Sequence, residues 1–74
     1  MNDQYEKWIG ECLRQRRIKN GCTQEELAAK MQLEGCDVSR TAIAKIEAGT
    51  RHIYTWEIKA LAKVLNITYD DIFG

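Results

Sequence analysis

The sequence contains no proline and only five glycines in 74 residues. Nothing in it breaks a helix outright, and its few glycines suit short turns between helices. Neither charge is in excess, since eleven Lys and Arg balance eleven Asp and Glu. A strongly basic chain would point to nucleic acid on composition alone; this one does not. No apolar run approaches the ~20 residues that span a membrane. The opening stretch, Met1 to Trp8, is polar and charged rather than a signal-peptide core. There is one histidine, His52, and there are three cysteines, Cys12, Cys22 and Cys36. An odd count with wide, irregular spacing argues against a disulfide framework and against a zinc finger or ribbon. With a single histidine, no catalytic triad can be argued, and no phosphate loop or carboxylate pair stands in for one. These absences set the expectations: a cytoplasmic protein with reduced thiols, no metal, no cofactor, no small-molecule ligand, no membrane contact and no enzyme activity.

Hydrophobic residues make up 45% and charged residues 30% of the chain, ordinary values for a globular protein. The length fits one domain over residues 1–74, without a second domain, an effector pocket or an oligomerisation module. Five helices are predicted, so the fold class is all-α. Tyr5, Trp8, Ile9, Cys12 and Leu13 recur at spacings of three and four, placing a first helix over Asp3 to Asn20 with Gly21 as its stop. Thr23 and Glu26 form a capping-box signature ahead of Leu27, Ala28 and Met31, and this second helix should fade near Leu33 to Gly35. A third begins near Ser39, with Asp37 as a competing cap, buries Ile43 and Ile46, and ends at Gly49. A fourth, after Thr55, carries Ile58, Leu61, Ala62 and Leu65 in an i, i+3, i+4, i+7 pattern and stops at Asn66. The fifth is a short turn from Thr68 to Phe73, capped by Thr68 and anchored by Ile72 and Phe73.

Charge is unevenly distributed. Arg14, Arg16, Arg17 and Lys19 crowd one stretch; Arg40, Lys45 and Arg51 lie in another. The acids Glu25, Glu26, Glu34, Asp37, Asp70 and Asp71 sit mainly elsewhere. On the third helix Ser39, Arg40, Thr41, Ala44 and Lys45 lie opposite Ile43 and Ile46. A face of Arg, Lys and hydroxyls with no acid on it suits guanine and phosphate acceptors. The amides at the helix start add a favourable partial charge for phosphate.

The run Thr23-Gln24-Glu25-Glu26-Leu27-Ala28, followed by Ser39 to Gly49, resembles the helix-turn-helix family of lambdoid phage repressors and their xenobiotic-response-element-like bacterial relatives. Arg17, Gly21, Leu61 to Ile67, Ile72 and Phe73 also fall where that family's pattern places them. The resemblance implies a five-helix lambda-repressor-like domain with its recognition helix at about residues 39–48. It implies base contacts from Ser39, Arg40, Thr41 and Lys45, and phosphate contacts from Thr23, Gln24 and Arg51. It also implies a structural ion pair between Arg17 and Glu47. His52 lies in the same loop as Arg51, with a weaker claim to phosphate. The implied function is sequence-specific binding of double-stranded DNA by a transcriptional repressor, in a bacterial or phage setting. A homodimer on a near-palindromic operator is expected, with Trp56, Tyr69 or Phe73 at the interface, although Trp56 can equally be a half-buried core residue. The alternative is a protein-interaction module, such as an antitoxin or adaptor, on the same fold. One departure stands out. The family's turn holds about two residues where this chain has seven, Gln32 to Val38. Either the second helix runs a turn longer or a loop bulges, with Asp37 acting as a cap rather than lying near phosphate.

Overall fold

The computed structural model describes residues 3–73, apart from the side chains of Asp3 and Phe73. The expectations placed on Phe73 lie outside the described residues. Five helices follow in order: α1 (Asp3–Lys19), α2 (Gln24–Leu33), α3 (Arg40–Ala48), α4 (Thr55–Leu65) and α5 (Tyr69–Phe73). Among the described residues there is no strand. Each helix sends at least one side chain to a common centre. Leu13, Leu27, Met31, Ile43, Ile46, Leu61, Leu65 and Ile72 are all but completely buried there. In a chain this short those eight side chains provide most of the hydrophobic driving force.

Local chemistry sets the helix ends. The Oγ1 of Thr23 accepts from the Glu26 amide at 3.0 Å, and the Glu26 carboxylate accepts from the Thr23 amide at 2.9 Å. The same reciprocal pair recurs at Thr68 and Asp71. At α3 the cap is Ser39, whose Oγ accepts from the Ala42 amide at 3.1 Å. Asp37 stays exposed, so its expected capping role is corrected: Ser39 alone is placed to reach the first-turn amides of α3. Gly49 and Asn66 end α3 and α4 in the left-handed conformation.

The enlarged turn is ordered by two devices. First, α2 runs on to Leu33 and closes with paired bonds, Gly35 N–H to the Gln32 carbonyl at 2.9 Å and Cys36 N–H to the Met31 carbonyl at 3.0 Å. Gly35, at φ +81°, supplies the left-handed residue this closure requires. Second, Cys36 and Val38 are buried in the core, which pins the returning segment. Glu34 meets Lys63 of α4 at 2.8 Å. The extra residues thus form an anchored corner rather than a bulge into solvent. Burial also pushes the Cys36 thiol above its ordinary value, which keeps it protonated and unreactive.

The packing of α1 differs from its expected pattern. Ile9 and Leu13 are buried, but Tyr5 and Trp8 stand 46% and 45% exposed, stacked on one another with centroids 5.9 Å apart. The reason is Gly10, where α1 crosses α3. A Cβ there would collide with the Ile46 carbonyl oxygen and lie 2.8 Å from that of Glu47. The closest approach falls on the glycine side of the helix. This turns the buried face toward Glu6, Gly10 and Arg17 and turns Trp8 outward. A glycine carries no weight in a hydrophobic pattern, yet here it decides which face is inside.

Candidate nucleic-acid interface

The outward surface of α3 follows from its periodicity. Ile43, Ile46 and Glu47 are buried. Arg40, Ala44 and Ala48 therefore line up along one outer edge, and Thr41 and Lys45 along the next. Arg40, Thr41 and Lys45 are exposed. The two alanines keep the middle of this ridge low, so a surface docking on it can come close to the helix backbone.

A recess lies on each flank of the ridge. On the α2 side, Arg40 shares a recess with Arg17, Thr23, Gln24 and Glu25. On the other side, Ser39, Thr41, Lys45 and Arg51 line a cleft of about 820 Å³ together with Glu6, Lys7, Thr50 and His52. The sequence-predicted residues are thus brought to one helix and its two borders, not into a single pocket. A ridge with polar walls on both flanks matches a helix laid into a groove better than a cavity enclosing a small molecule.

The α2 flank is fixed by a buried charge network. The Nε and Nη2 of Arg17 donate to the two Glu47 oxygens at 2.6 and 3.0 Å, and its Nη1 donates to the Cys22 carbonyl at 2.8 Å. The side chains are only 11% and 4% exposed. The bond to Glu47 raises the Arg17 pKa above its already high ordinary value. Gln24 completes the network, with Nε2 donating to Glu47 Oε1 at 3.0 Å. Since that amide carries two hydrogens, the second stays available to an outside acceptor. Glu47 therefore ties α1 to α3 and also orients the first side chain of α2.

Arg51 is engaged internally. Its Nη1 and Nη2 each donate to a Glu57 oxygen at 2.9 Å, Nη1 also donates to the His52 carbonyl at 2.8 Å, and the guanidinium lies 5.8 Å from the Tyr54 ring centre. Glu57 is buried and also accepts from the Tyr54 amide at 3.0 Å, which makes it the organiser of the α3–α4 loop. An apolar pattern passes over it because its side chain is charged, although its spacing of four from Leu61 and eight from Leu65 puts it on the buried face of α4. Trp56 is 62% exposed and stacks flat on Tyr54 with centroids 4.7 Å apart, so its reading as half-buried core is corrected. Sequence reasoning also missed Glu6, whose Oε2 lies 2.6 Å from His52 Nδ1 across 46 residues.

The Arg51 bond, aided by the Tyr54 amide, holds the Glu57 carboxyl below its ordinary range. A carboxyl lowered on folding adds stability that is complete above the unfolded value, about 4.3. That stability is lost as pH falls through the lowered folded value. Glu57→Gln should therefore melt below wild type near neutral pH, by about 1–3 kcal/mol. The gap should be narrower at an acid pH below about 4.3 than near neutrality. Melting curves of both proteins at the two pH values check this, and a gap independent of pH would mean the carboxylate charge plays no part.

Among the described residues, no group of His, Cys, Asp and Glu is arranged to hold a metal, and no helix is long and apolar enough to cross a membrane. A model of the helix-turn-helix family matches residues 13–72, which takes in the C-terminal part of α1, all of α2, α3 and α4, and α5 up to Ile72. No curated protein matches the chain.

Proposed function

The chain belongs to the helix-turn-helix family of lambda-repressor-like DNA-binding domains, and on that premise we propose that it is a sequence-specific repressor that lays α3 in the major groove of duplex DNA. The observation that carries this reading is the α3 ridge, with Arg40, Thr41 and Lys45 on a low alanine spine whose other side is rooted in the core. In this reading Ser39, Arg40, Thr41 and Lys45 meet base edges. Thr23 and the second hydrogen of the Gln24 amide meet phosphate. Arg51 acts mainly through the loop it braces. Repression needs no further machinery, since a domain seated on an operator excludes other proteins from it.

The protein acts as a symmetric dimer in this proposal, because one small module offers little contact area and two half-sites multiply affinity. Exposed Trp56 and Tyr69, near the starts of α4 and α5, supply apolar area for the contact. The test is selection of bound duplexes from random DNA. A recovered near-palindrome with half-site centres about 34–36 Å apart, or a multiple of it, is the expected result. A second reading, a module that grips another protein, draws on the stacked, exposed Tyr54 and Trp56 and on the zero net charge. Salt separates the two, because DNA affinity falls steeply with ionic strength as counterions are taken back.

Arg40 and Gln24 should fail differently. Arg40 stands on the first turn of α3, where a guanidinium reaches two guanine acceptors at once, worth about 1–3 kcal/mol of discrimination. Arg40→Ala should weaken the selected site more than a site altered at the contacted base pair. Gln24→Ala should weaken both by a similar factor and leave the salt slope nearly unchanged, because glutamine is neutral. Affinities of both variants on both duplexes at one salt concentration decide it. An equal loss on the two sites for Arg40→Ala would make Arg40 a phosphate contact.

A further inference from the structure

The contact between Glu6 and His52 has no part in the core, in a helix cap or in the ridge itself. It joins α1 to the loop after α3, at the wall of the cleft that also holds Thr41 and Lys45. We propose that His52, oriented by Glu6, is a proton-dependent contact for a backbone phosphate, so that DNA binding takes up a proton at this site. The inference rests on the DNA-binding reading above.

The chemistry runs through the tautomer. A carboxylate only accepts hydrogen bonds, so the ring nitrogen 2.6 Å from Glu6, Nδ1, carries the hydrogen. In the neutral ring Nε2 is then a bare acceptor and repels a phosphate oxygen. Only the imidazolium presents an Nε2–H donor, and that bond to phosphate is charge-assisted. The geometry places the ring where such an oxygen arrives. The His52 side chain is 57% exposed while Glu6 is 16% exposed, so the carboxylate is anchored and the ring reaches solvent. Because the cleft borders Thr41 and Lys45, a duplex seated on α3 runs one sugar-phosphate wall along it. The charges facing the ring are Glu6 and Lys7 from α1, Lys45 from α3, and Arg51, paired to Glu57, from its own loop. An arriving phosphate adds a second negative neighbour beside Glu6 and draws a proton onto Nε2. Glu6 is a positioning residue; His52 is the contact.

The experiment measures affinity for the duplex recovered by selection from random DNA, at low salt between about pH 5 and 8, the window in which histidine changes charge. Wild type, His52→Gln and Glu6→Gln are compared. Wild type should bind more tightly as pH falls, by up to about tenfold per unit for one proton. Its salt slope should be steeper by about 0.9 at the acid end, for one more phosphate neutralised. His52→Gln should lose both effects. Glu6→Gln frees the tautomer, so it should bind more tightly than wild type at about pH 8 and show a shallower pH dependence. An identical pH profile in wild type and His52→Gln overturns the inference and leaves the DNA-binding reading standing. Failure of wild type to bind duplex at any pH overturns both.

Discussion

Replacing Arg17 or Glu47 by alanine is expected to destabilise the protein more than any other surface-to-core polar change, by about 3–5 kcal/mol. Removing one member of a buried pair leaves the other charge without its counterpart. The two variants should not be equal. Without Glu47, Arg17 keeps its bond to the Cys22 carbonyl and a long side chain that can swing toward water. Without Arg17, the Glu47 carboxylate is left 4% exposed with the Gln24 amide as its neutral donor. Arg17→Ala should therefore fall at the upper end of the range and Glu47→Ala at the lower. In a domain of this size each kcal/mol moves the melting temperature by about 4–8 °C, so Arg17→Ala approaches complete loss of folding at ambient temperature. Circular-dichroism melts test the ranking. A Glu47→Ala variant that melts within about 2 °C of wild type would show that the network contributes nothing to stability.

Gly10→Ala is the second large effect, and its sign is the interesting part. Read as an ordinary helix position, the exchange should stabilise α1 by about 1 kcal/mol, the propensity difference between the two residues. The crossing with α3 reverses this. The added methyl meets the backbone carbonyls of Ile46 and Glu47, and no rotamer change can move those away. The helices must separate, which loosens Ile9 and Leu13 and lengthens the Arg17–Glu47 bonds. A net loss of about 1–3 kcal/mol is expected, the usual cost of overpacking. A denaturant midpoint higher than wild type would sink the argument and place the two helices further apart.

Most of the architecture was legible because it depends on local signals. The caps at Thr23 and Thr68, the stops at Gly49 and Asn66, and the apolar stripe of α4 each need only a few adjacent residues. The candidate interface was legible only in part. Arg40, Thr41 and Lys45 could be placed on one face of α3 by spacing alone. What the spacing could not reveal were partners far apart in the chain. Glu6 meets His52 across 46 residues, and the acid-free polar face read from α3 gains that carboxylate at its border. Arg51 looked available because Glu57, which binds it with both oxygens, reads as a polar residue in the first turn of α4. Tyr5 and Trp8 share the spacing of Ile9 and Leu13 yet face outward, because a hydrophobic pattern counts side chains and is blind to the place where the lack of one lets two helices touch.

The internal pairing of cations beside the ridge bears on how such a protein searches a genome. Arg17 and Arg51 hold carboxylates of their own chain, and Glu6 and Glu25 lie within the two recesses. Few charges remain to displace counterions at an arbitrary sequence, and nonspecific residence on DNA is correspondingly brief. A regulator built this way slides little and finds its target mainly by repeated encounters from solution. In the proposed reading its occupancy of an operator depends on close fit along α3 and is little diluted by the excess of other sequence around it.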